Sequence, residues 1–177
     1  MKAELERHHR ASFGWAMTCC RRDRDEASEV LQASYVKILD GQARFEGRSE
    51  FRTWLFGVIR RTAMEHRRRR ARRERGLLGW FRKRSSLPRL PDPDPSAEHE
   101  EIHRRLRSHL ERLSTRQRDL LHLVFYQDLT IEQAAGVLDI PLGTARTHYA
   151  RGKAQLKKRL LASGDSSWQR TTMTTGS

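Results

Sequence analysis

Long apolar runs are missing from this sequence of 177 residues. A helix that crosses a membrane needs about 18 or more consecutive apolar residues, so a transmembrane segment is excluded. The first ten residues, MKAELERHHR, lack the apolar centre of a signal peptide. We therefore expect a soluble protein of the cytoplasm, with no membrane insertion.

Cysteine is scarce as well, because Cys19 and Cys20 are the two that the chain contains. Adjacent cysteines do not form an ordinary structural disulfide, and the paired CxxC spacing of a zinc site is absent. We expect both thiols to stay reduced beside a helix; a metal site shared with His8 and His9 is the alternative. A nucleophile–base arrangement and a phosphate-binding loop are also missing, so we expect no enzyme, no metal and no cofactor.

Positive charge, in contrast, is abundant. The chain has 36 Lys and Arg residues against 22 Asp and Glu, which gives a net charge of +14 and a pI near 11.0. Hydrophobic residues make up 36% of the sequence, so any single core is modest. A surplus of this size favours a polyanionic partner, either nucleic acid or an anionic membrane surface.

Helical periodicity covers most of the chain and predicts an all-α fold. We expect two small helical domains joined by a flexible linker: a first over residues 1–75, almost continuously helical apart from a polar loop at 43–50, and a second over 98–162. The linker is placed at 76–97, which holds all but one of the five prolines and no helical period. The Ser/Thr-rich tail over 163–177 is predicted to be disordered.

Residues 129–160 hold two short helical patterns separated by a sharp break. Asp139 lies at the break, where aspartate tolerates a left-handed backbone, and Pro141 suits the first turn of the second helix. This spacing predicts a helix-turn-helix, winged-helix-like domain whose second helix enters the DNA major groove. The side chains expected to meet DNA are Thr144, Arg146, Thr147, His148, Arg151 and Lys153.

A basic helical hairpin can also be a solvated surface without a nucleic-acid partner. The small Ala135, which lets two helices cross closely, and the basic residues at exposed positions favour DNA binding over that interpretation.

Aromatic and basic residues alternate in the first half of the chain. This part of the chain contains the segment FEGRSEFRTWLFGVIRRTAMEHRRRRARR. The stretch from Arg60 to Arg75 contains nine arginines, with both ends counted. Aromatic rings beside a basic helix suit unpaired bases, which stack on them while phosphates meet arginine. The alternative is that Phe51, Trp54 and Phe56 are core residues, and for Trp54 we favour the core.

Three segments together resemble the extracytoplasmic function group of bacterial sigma-70 family sigma factors. DRDEASEVLQASYVKIL is similar to the helix with which that family docks on core RNA polymerase. FEGRSEFRTWLFGVIRRTAMEHRRRR is similar to its promoter-melting segment, which reads the minus-ten element. LSTRQRDLLHLVFYQDLTIEQAAGVLDIPLGTARTHYARGKAQLKKRL is similar to its domain for the minus-thirty-five element.

The resemblance implies a role for named residues in each segment. Core polymerase would be met by Asp25, Glu26, Glu29 and Gln32. Minus-ten promoter DNA would be met by Phe45, Arg48, Ser49, Phe51, Arg52, Arg60 and Arg61. The helix-turn-helix residues given above would read the minus-thirty-five element. Members of the family are often held by an anti-sigma factor, which is therefore a further candidate partner.

Two other classes of protein stay open at this point. The C-terminal segment also resembles the DNA-binding end of response regulators, so a helix-turn-helix regulator that does not associate with polymerase is the main alternative. A non-specific nucleic-acid packaging protein would explain the charge but not a helix-turn-helix.

Overall fold

The chain folds into helices throughout the part that the structure describes. The computed structural model describes residues 1–76, 108–110 and 112–162, and within them the regular secondary structure is all helical, which confirms the predicted fold class. The helices are α1 (Lys2–Arg7), α2 (His9–Cys19), α3 (Arg24–Leu39), α4 (Phe51–Gly76), α5 (Thr115–Phe125), α6 (Ile131–Leu138) and α7 (Leu142–Ala162). The predicted linker beyond Gly76 and the predicted tail lie outside the described residues.

A tight reversal between α2 and α3 interrupts the near-continuous helix expected over the first 75 residues. Arg21 and Arg22 have positive φ angles of 53° and 67°. The Arg22 N–H returns to the Met17 carbonyl at 2.7 Å, which ends α2. Asp23 then caps α3 by accepting a hydrogen bond from the Glu26 N–H at 3.0 Å. The reversal lays α3 back along α2, and no sequence pattern predicted it.

The N-terminal lobe, which we define as α1 to α4, packs around one tryptophan. Trp15 is 0% exposed, and its Nε1 donates to the Phe56 carbonyl oxygen at 3.0 Å, which ties α2 to α4. Val30 from α3 and Ile59 from α4 are also fully buried in this core. Full burial of each such apolar side chain stabilises the fold by about 1.5–3 kcal/mol.

The C-terminal lobe, α5 to α7, begins its first two helices with reciprocal caps. Ser114 accepts from the Gln117 N–H while the Gln117 side chain accepts from the Ser114 N–H. Thr130 and Gln133 form the same arrangement at the start of α6. Each capping box needs only two residues that lie three positions apart in the chain.

The turn between α6 and α7 has the predicted left-handed residue. Asp139 has φ 52° and ψ 55°, and the Ile140 N–H bonds back to the Ala135 carbonyl at 3.1 Å. Further along α7, Gly152 faces α5 so closely that a Cβ there would lie 3.1 Å from the Gln117 Cβ. These two positions fix the angle and the distance at which α7 crosses its neighbours.

The two lobes also pack against each other, which the sequence did not predict. Helix α4 lies against α6, and α2 lies against α5. Buried apolar residues of both lobes form one continuous cluster, so the described residues share a single core.

Candidate nucleic-acid interface

Helix α7 presents most of the predicted DNA-reading side chains to solvent. Ala145 is buried against the lobe, which turns its neighbours outward, and His148 is half-buried at the edge of the same face. The Thr147 hydroxyl donates to the Gly143 carbonyl at 3.0 Å, so its oxygen lone pairs remain available to accept a hydrogen bond. The exposed members of the predicted set are Thr144, Arg146, Thr147, Arg151 and Lys153.

The charged side chains of α7 are all basic. Its sequence, LGTARTHYARGKAQLKKRLLA, contains no Asp or Glu. Lys153 and Lys158 are exposed beyond the first turns and extend the positive surface along the helix. Cations in this arrangement attract phosphate at any sequence, whereas Arg146 and Arg151 near the helix start can reach base edges.

The start of α4 carries a cluster of aromatic rings. The ring of Phe45 lies 5.3 Å from that of Phe51 and 5.2 Å from that of Trp54, and Phe51 and Trp54 are 5.3 Å apart. The ring of His8 stacks on that of Phe51, with 6.0 Å between the ring centroids. All three aromatic rings are half-buried, so they form a packed platform with an accessible edge. Trp54 is therefore partly buried, lying neither fully in the core nor fully in solvent.

Three polar residues predicted to line the minus-ten site lie in the loop before α4 and in its first turn. Arg48 and Ser49 are exposed in the loop before α4, and Arg52 is half-buried in its first turn. Arg48 pairs with Glu46 at 2.8 Å, and both side chains are mostly in solvent. An exposed ion pair of this kind contributes about 0–1 kcal/mol, so Arg48 can exchange it for a phosphate.

The two remaining arginines of the predicted minus-ten set lie in different surroundings. Arg61 is exposed on α4, whereas Arg60 is half-buried and its Nη1 contacts the Met64 sulfur at 3.4 Å. Arg60 also lies within electrostatic range of Asp119, which the C-terminal lobe places against α4. Arg61 therefore faces solvent, whereas Arg60 faces the C-terminal lobe.

The acidic face predicted to meet polymerase lies on α3, and two of its carboxylates contact a side chain of α4. Asp25 and Gln32 of this predicted set are exposed. Glu26 and Glu29 both contact His66 of α4, with Nδ1–Oε1 at 3.3 Å and Nε2–Oε2 at 3.2 Å. The Glu26 side chain is 16% exposed and that of Glu29 is 68% exposed, so Glu29 is the more accessible carboxylate.

His66 and Arg70 are residues that sequence reasoning missed. Arg70 Nη1 lies 3.8 Å from Glu26 Oε2, next to the His66 contact, and so α4 supplies two cations to one carboxylate. The sequence did contain a signal: a histidine and an arginine four residues apart lie on one face of a helix. What it could not show is that α3 lies opposite that face.

The described part of the chain holds neither a cluster of metal-ligating side chains nor a membrane-spanning helix. Within it, no group of three or more His, Cys, Asp or Glu side chains could hold a metal ion. Cys19 and Cys20 are free thiols. Among the same residues, no helix is both long and apolar enough to cross a membrane.

Two family models match the chain in the order of its lobes. The model for sigma-70 region 2 matches residues 5–73, and the model for sigma-70 region 4 matches residues 103–156. The chain belongs to the sigma-70 family of RNA polymerase sigma factors. The helix-turn-helix of this sigma factor thus lies in its region 4, and the aromatic platform lies in its region 2.

Curated relatives place the sigma factor in the extracytoplasmic function group. It is 28% identical over 143 residues to the ECF RNA polymerase sigma factor SigX of Bacillus subtilis, covering 78% of this chain and 73% of that protein. It is 28% identical over 142 residues to the ECF sigma factor SigC of Mycobacterium tuberculosis, covering 80% of this chain and 74% of SigC.

Solved structures share the fold of this sigma factor. The sigma factor RpoE of Bartonella quintana, crystallised with the anti-sigma factor NepR, superposes with a TM-score of 0.69 at 23% identity, covering 90% of this chain and 95% of that one. CnrH, solved with the cytosolic domain of CnrY, gives a TM-score of 0.61 at 20% identity, covering 91% and 87%.

Proposed function

We propose that this sigma factor binds bacterial core RNA polymerase, directs it to promoters with a minus-ten and a minus-thirty-five element, and stabilises the melted minus-ten strand. It acts in the cytoplasm, carries no catalytic activity of its own and needs no cofactor. The observation that carries the proposal is the presence, on one chain, of an acid-free helix-turn-helix face and a separate aromatic platform bordered by arginines.

Duplex recognition is assigned to α7. Arg146 can donate two hydrogen bonds to guanine, and Thr147 keeps acceptor capacity because its hydroxyl proton is directed to Gly143. Lys153 lies further along the helix, where it meets the phosphate backbone. Each good bidentate contact discriminates against the wrong base by about 1–3 kcal/mol, so the α7 face can select the minus-thirty-five element.

Recognition of the melted strand is assigned to the aromatic platform of Phe45, Phe51 and Trp54. Because the rings are already packed together, they lose little conformational freedom when a base stacks on their open edge. Stacking of one unpaired base contributes about 1–3 kcal/mol, and duplex DNA cannot make this contact. The platform therefore favours opened DNA over closed duplex.

Polymerase docking is assigned to the exposed part of the α3 acidic face, Asp25, Glu29 and Gln32. His66 supports this face, because its contacts with Glu26 and Glu29 hold both carboxylates in place on the surface of α3. The docking face thus depends on α4, the helix that also carries the aromatic platform. Polymerase contact and minus-ten recognition are built on the same rigid pair of helices.

An anti-sigma factor is proposed as a further partner. The two solved neighbours were captured in complexes, RpoE with the anti-sigma factor NepR and CnrH with the cytosolic domain of CnrY. The fold shared with those proteins makes a protein inhibitor of the same kind a reasonable partner for this chain.

Transcription by purified bacterial core polymerase on a randomised promoter library tests the proposal. The expected result is run-off product from a subset of sequences that share two elements. Glu29→Arg should weaken association with core polymerase, whereas Asp40→Arg, an equal charge change at an exposed residue outside the predicted docking set, should not. DNA binding without any association with core polymerase would instead indicate the helix-turn-helix regulator.

A further inference from the structure

The loop between α3 and α4, residues 40–50, carries an arginine that none of the predicted binding sets includes. Arg44 lies directly before Phe45, the loop residue of the aromatic platform. Arg44 is exposed, whereas Phe45 is half-buried against Phe51 and Trp54. The chain therefore places an exposed cation next to the ring to which the proposed function assigns base stacking.

The end of α3 holds the Arg44 side chain in place. Gly41 follows the helix with a positive φ of 74°, a backbone conformation that favours glycine. The Ala43 N–H returns to the Lys37 carbonyl oxygen at 2.9 Å, which closes the helix end. The Gly41 carbonyl oxygen then accepts a hydrogen bond from Arg44 Nε at 3.3 Å. The guanidinium is thus fixed to the backbone through its inner nitrogen.

The two terminal nitrogens of Arg44 point beyond this contact and can donate to a ligand. Arginine binds phosphate through two parallel N–H···O bonds from such a planar fork. Because the side chain is already held at Nε, it loses less conformational freedom on binding than a side chain that moves freely. Arg48, in the same loop, meets a phosphate only after its 2.8 Å ion pair with Glu46 breaks. Within the described residues, Arg44 has no such carboxylate partner.

A purely structural role for Arg44 is the alternative. Cations near the C-terminus of a helix stabilise it, because the last carbonyl groups carry partial negative charge. Two observations favour a ligand. The Gly41 carbonyl is satisfied through Nε alone, so capping does not need the terminal nitrogens. Arg44 also adjoins the aromatic platform, where a strand with a stacked base brings its own phosphates.

We propose that Arg44 is a phosphate-binding residue for the melted strand, positioned by Gly41 and acting beside the aromatic platform. Its ligand is the phosphodiester that flanks the base stacked at Phe45. Consecutive Cα atoms lie about 3.8 Å apart, so the guanidinium reaches the phosphate of that nucleotide. This inference rests on the proposed function, because it assigns a further residue to the same minus-ten site.

Binding of a mixed-sequence single-stranded oligonucleotide by the full chain tests the role of Arg44. Arg44→Ala should flatten the slope of log affinity against log salt by about 0.7, because one phosphate contact with the single strand is lost. Affinity at low salt should fall about tenfold, the loss expected when a hydrogen bond to a charged group is removed. A duplex of the same sequence should give the same slope with both proteins, since it presents no unpaired base to the platform.

Arg24 supplies a matched control at the other end of α3. It is also exposed, and the 16 residues of α3, about 24 Å in length, separate it from Gly41. Arg24→Ala removes the same charge and should leave the single-strand slope unchanged. Equal flattening by Arg24→Ala and Arg44→Ala would overturn the proposal, because the slope would then report total charge and not a site.

Arg44→Lys separates phosphate binding from helix capping. Lysine keeps the charge, but its ammonium group cannot donate to Gly41 and also present a planar fork to phosphate. The salt slope should therefore stay near the wild-type value, while affinity falls to a level between those of wild type and Arg44→Ala. If Arg44 only caps α3, Arg44→Ala should lower the unfolding temperature and leave the salt slope unchanged, and the proposal fails.

Run-off transcription distinguishes a failure of this proposal from a failure of the proposed function. If the wild-type chain gives no product with core polymerase, the proposed function fails, while the oligonucleotide slopes still decide whether Arg44 binds phosphate. If transcription proceeds and the single-strand slope of Arg44→Ala equals that of wild type, the proposed function stands and Arg44 has no part in it.

Discussion

Helices α4 and α7 are both strongly basic, yet the structure uses their charge in different ways. Helix α7 contains no acid, and the predicted DNA-reading cations on it are exposed. On α4, His66 and Arg70 are paired with carboxylates of α3, and Arg60 faces Asp119 of the other lobe. The comparison teaches that a count of arginines does not locate a DNA surface. The position of the carboxylates, many of them distant in sequence, decides which cations remain for phosphate.

The strongest test of this comparison removes Trp15, on which both α4 and the packing of the two lobes depend. Trp15→Ala should lower the free energy of unfolding by about 3–5 kcal/mol, because it leaves a cavity beside Phe56 and removes the ring on which His122 stacks. Trp15→Phe keeps a ring but loses the hydrogen bond to the Phe56 carbonyl, so a smaller loss of about 1–2 kcal/mol is expected. Urea unfolding measures both values, and equal losses would contradict the packing described.

Two titratable groups between the lobes should respond to pH in opposite directions. Burial holds the pKa of His122 at about 4, below its ordinary 6.5, so its contribution to stability is present above pH 6.5 and is lost as pH falls towards 4. Burial raises the pKa of Asp119 from 3.8 to about 6, so its contribution is present below pH 3.8 and is lost as pH rises towards 6. Each shift corresponds to roughly 3 kcal/mol, so the two nearly cancel between pH 4 and 6.

In the wild type the pH dependences of stability from His122 and Asp119 cancel, so variants that remove one group should reveal the contribution of the other. His122→Gln should leave stability falling as pH rises from 4 to 6, and Asp119→Asn should leave it rising over the same interval. The groups that face Asp119 are Arg60 and Arg67 of α4 and Cys19 of α2, with Arg116 and Arg118 on its own helix. His122 faces Arg22 and the uncharged Thr18, Gln127 and Tyr126. Urea unfolding at pH 4.5 and pH 6 measures both slopes, and parallel profiles for the two variants would rule out the assignment.

The features that sequence reasoning located correctly depend on residues close together in the chain. The all-helical fold class needs only apolar side chains at three- and four-residue spacing. The left-handed turn at Asp139 needs one residue with the right backbone tolerance. Such features appear in a pattern of single letters because the physics that creates them is local.

Contacts between distant residues were missed for the opposite reason. His66 and Glu26 are 40 positions apart, and Thr18 and His122 are 104 apart. Helical periodicity reports which face of a helix is apolar but not which helix covers it, so neither the support of the α3 acidic face nor the packing of the two lobes could be read from the sequence. The aromatic platform was an intermediate case, since its residues were named but their mutual packing was not.

A matched pair of variants on α7 tests which of its exposed cations reads bases and which contacts phosphate. Arg146→Ala should relax the preference for one base pair of the minus-thirty-five element, with a loss of about 1–3 kcal/mol at that base pair. Lys158→Ala, on the same helix, should weaken binding to all promoters alike and reduce the salt slope by about 1. Selection of promoters by the polymerase complex from a randomised library measures both effects. A uniform loss from Arg146→Ala would mean that this arginine meets phosphate and not a base.

The smallest expected effect concerns the turn that sets the angle of α7. Asp139 holds φ at 52°, a conformation that costs an ordinary side chain about 1–2 kcal/mol. Asp139→Gly should therefore be neutral or should raise the free energy of unfolding by up to about 1 kcal/mol, whereas Asp139→Val should lower it by about 1–2 kcal/mol because a β-branched residue is a poor fit there. Thermal unfolding of the full chain orders the two variants. Because local backbone preference sets this turn, Asp139→Val should unfold at the lower temperature of the two; the reverse order would show that contacts from elsewhere in the fold impose the turn.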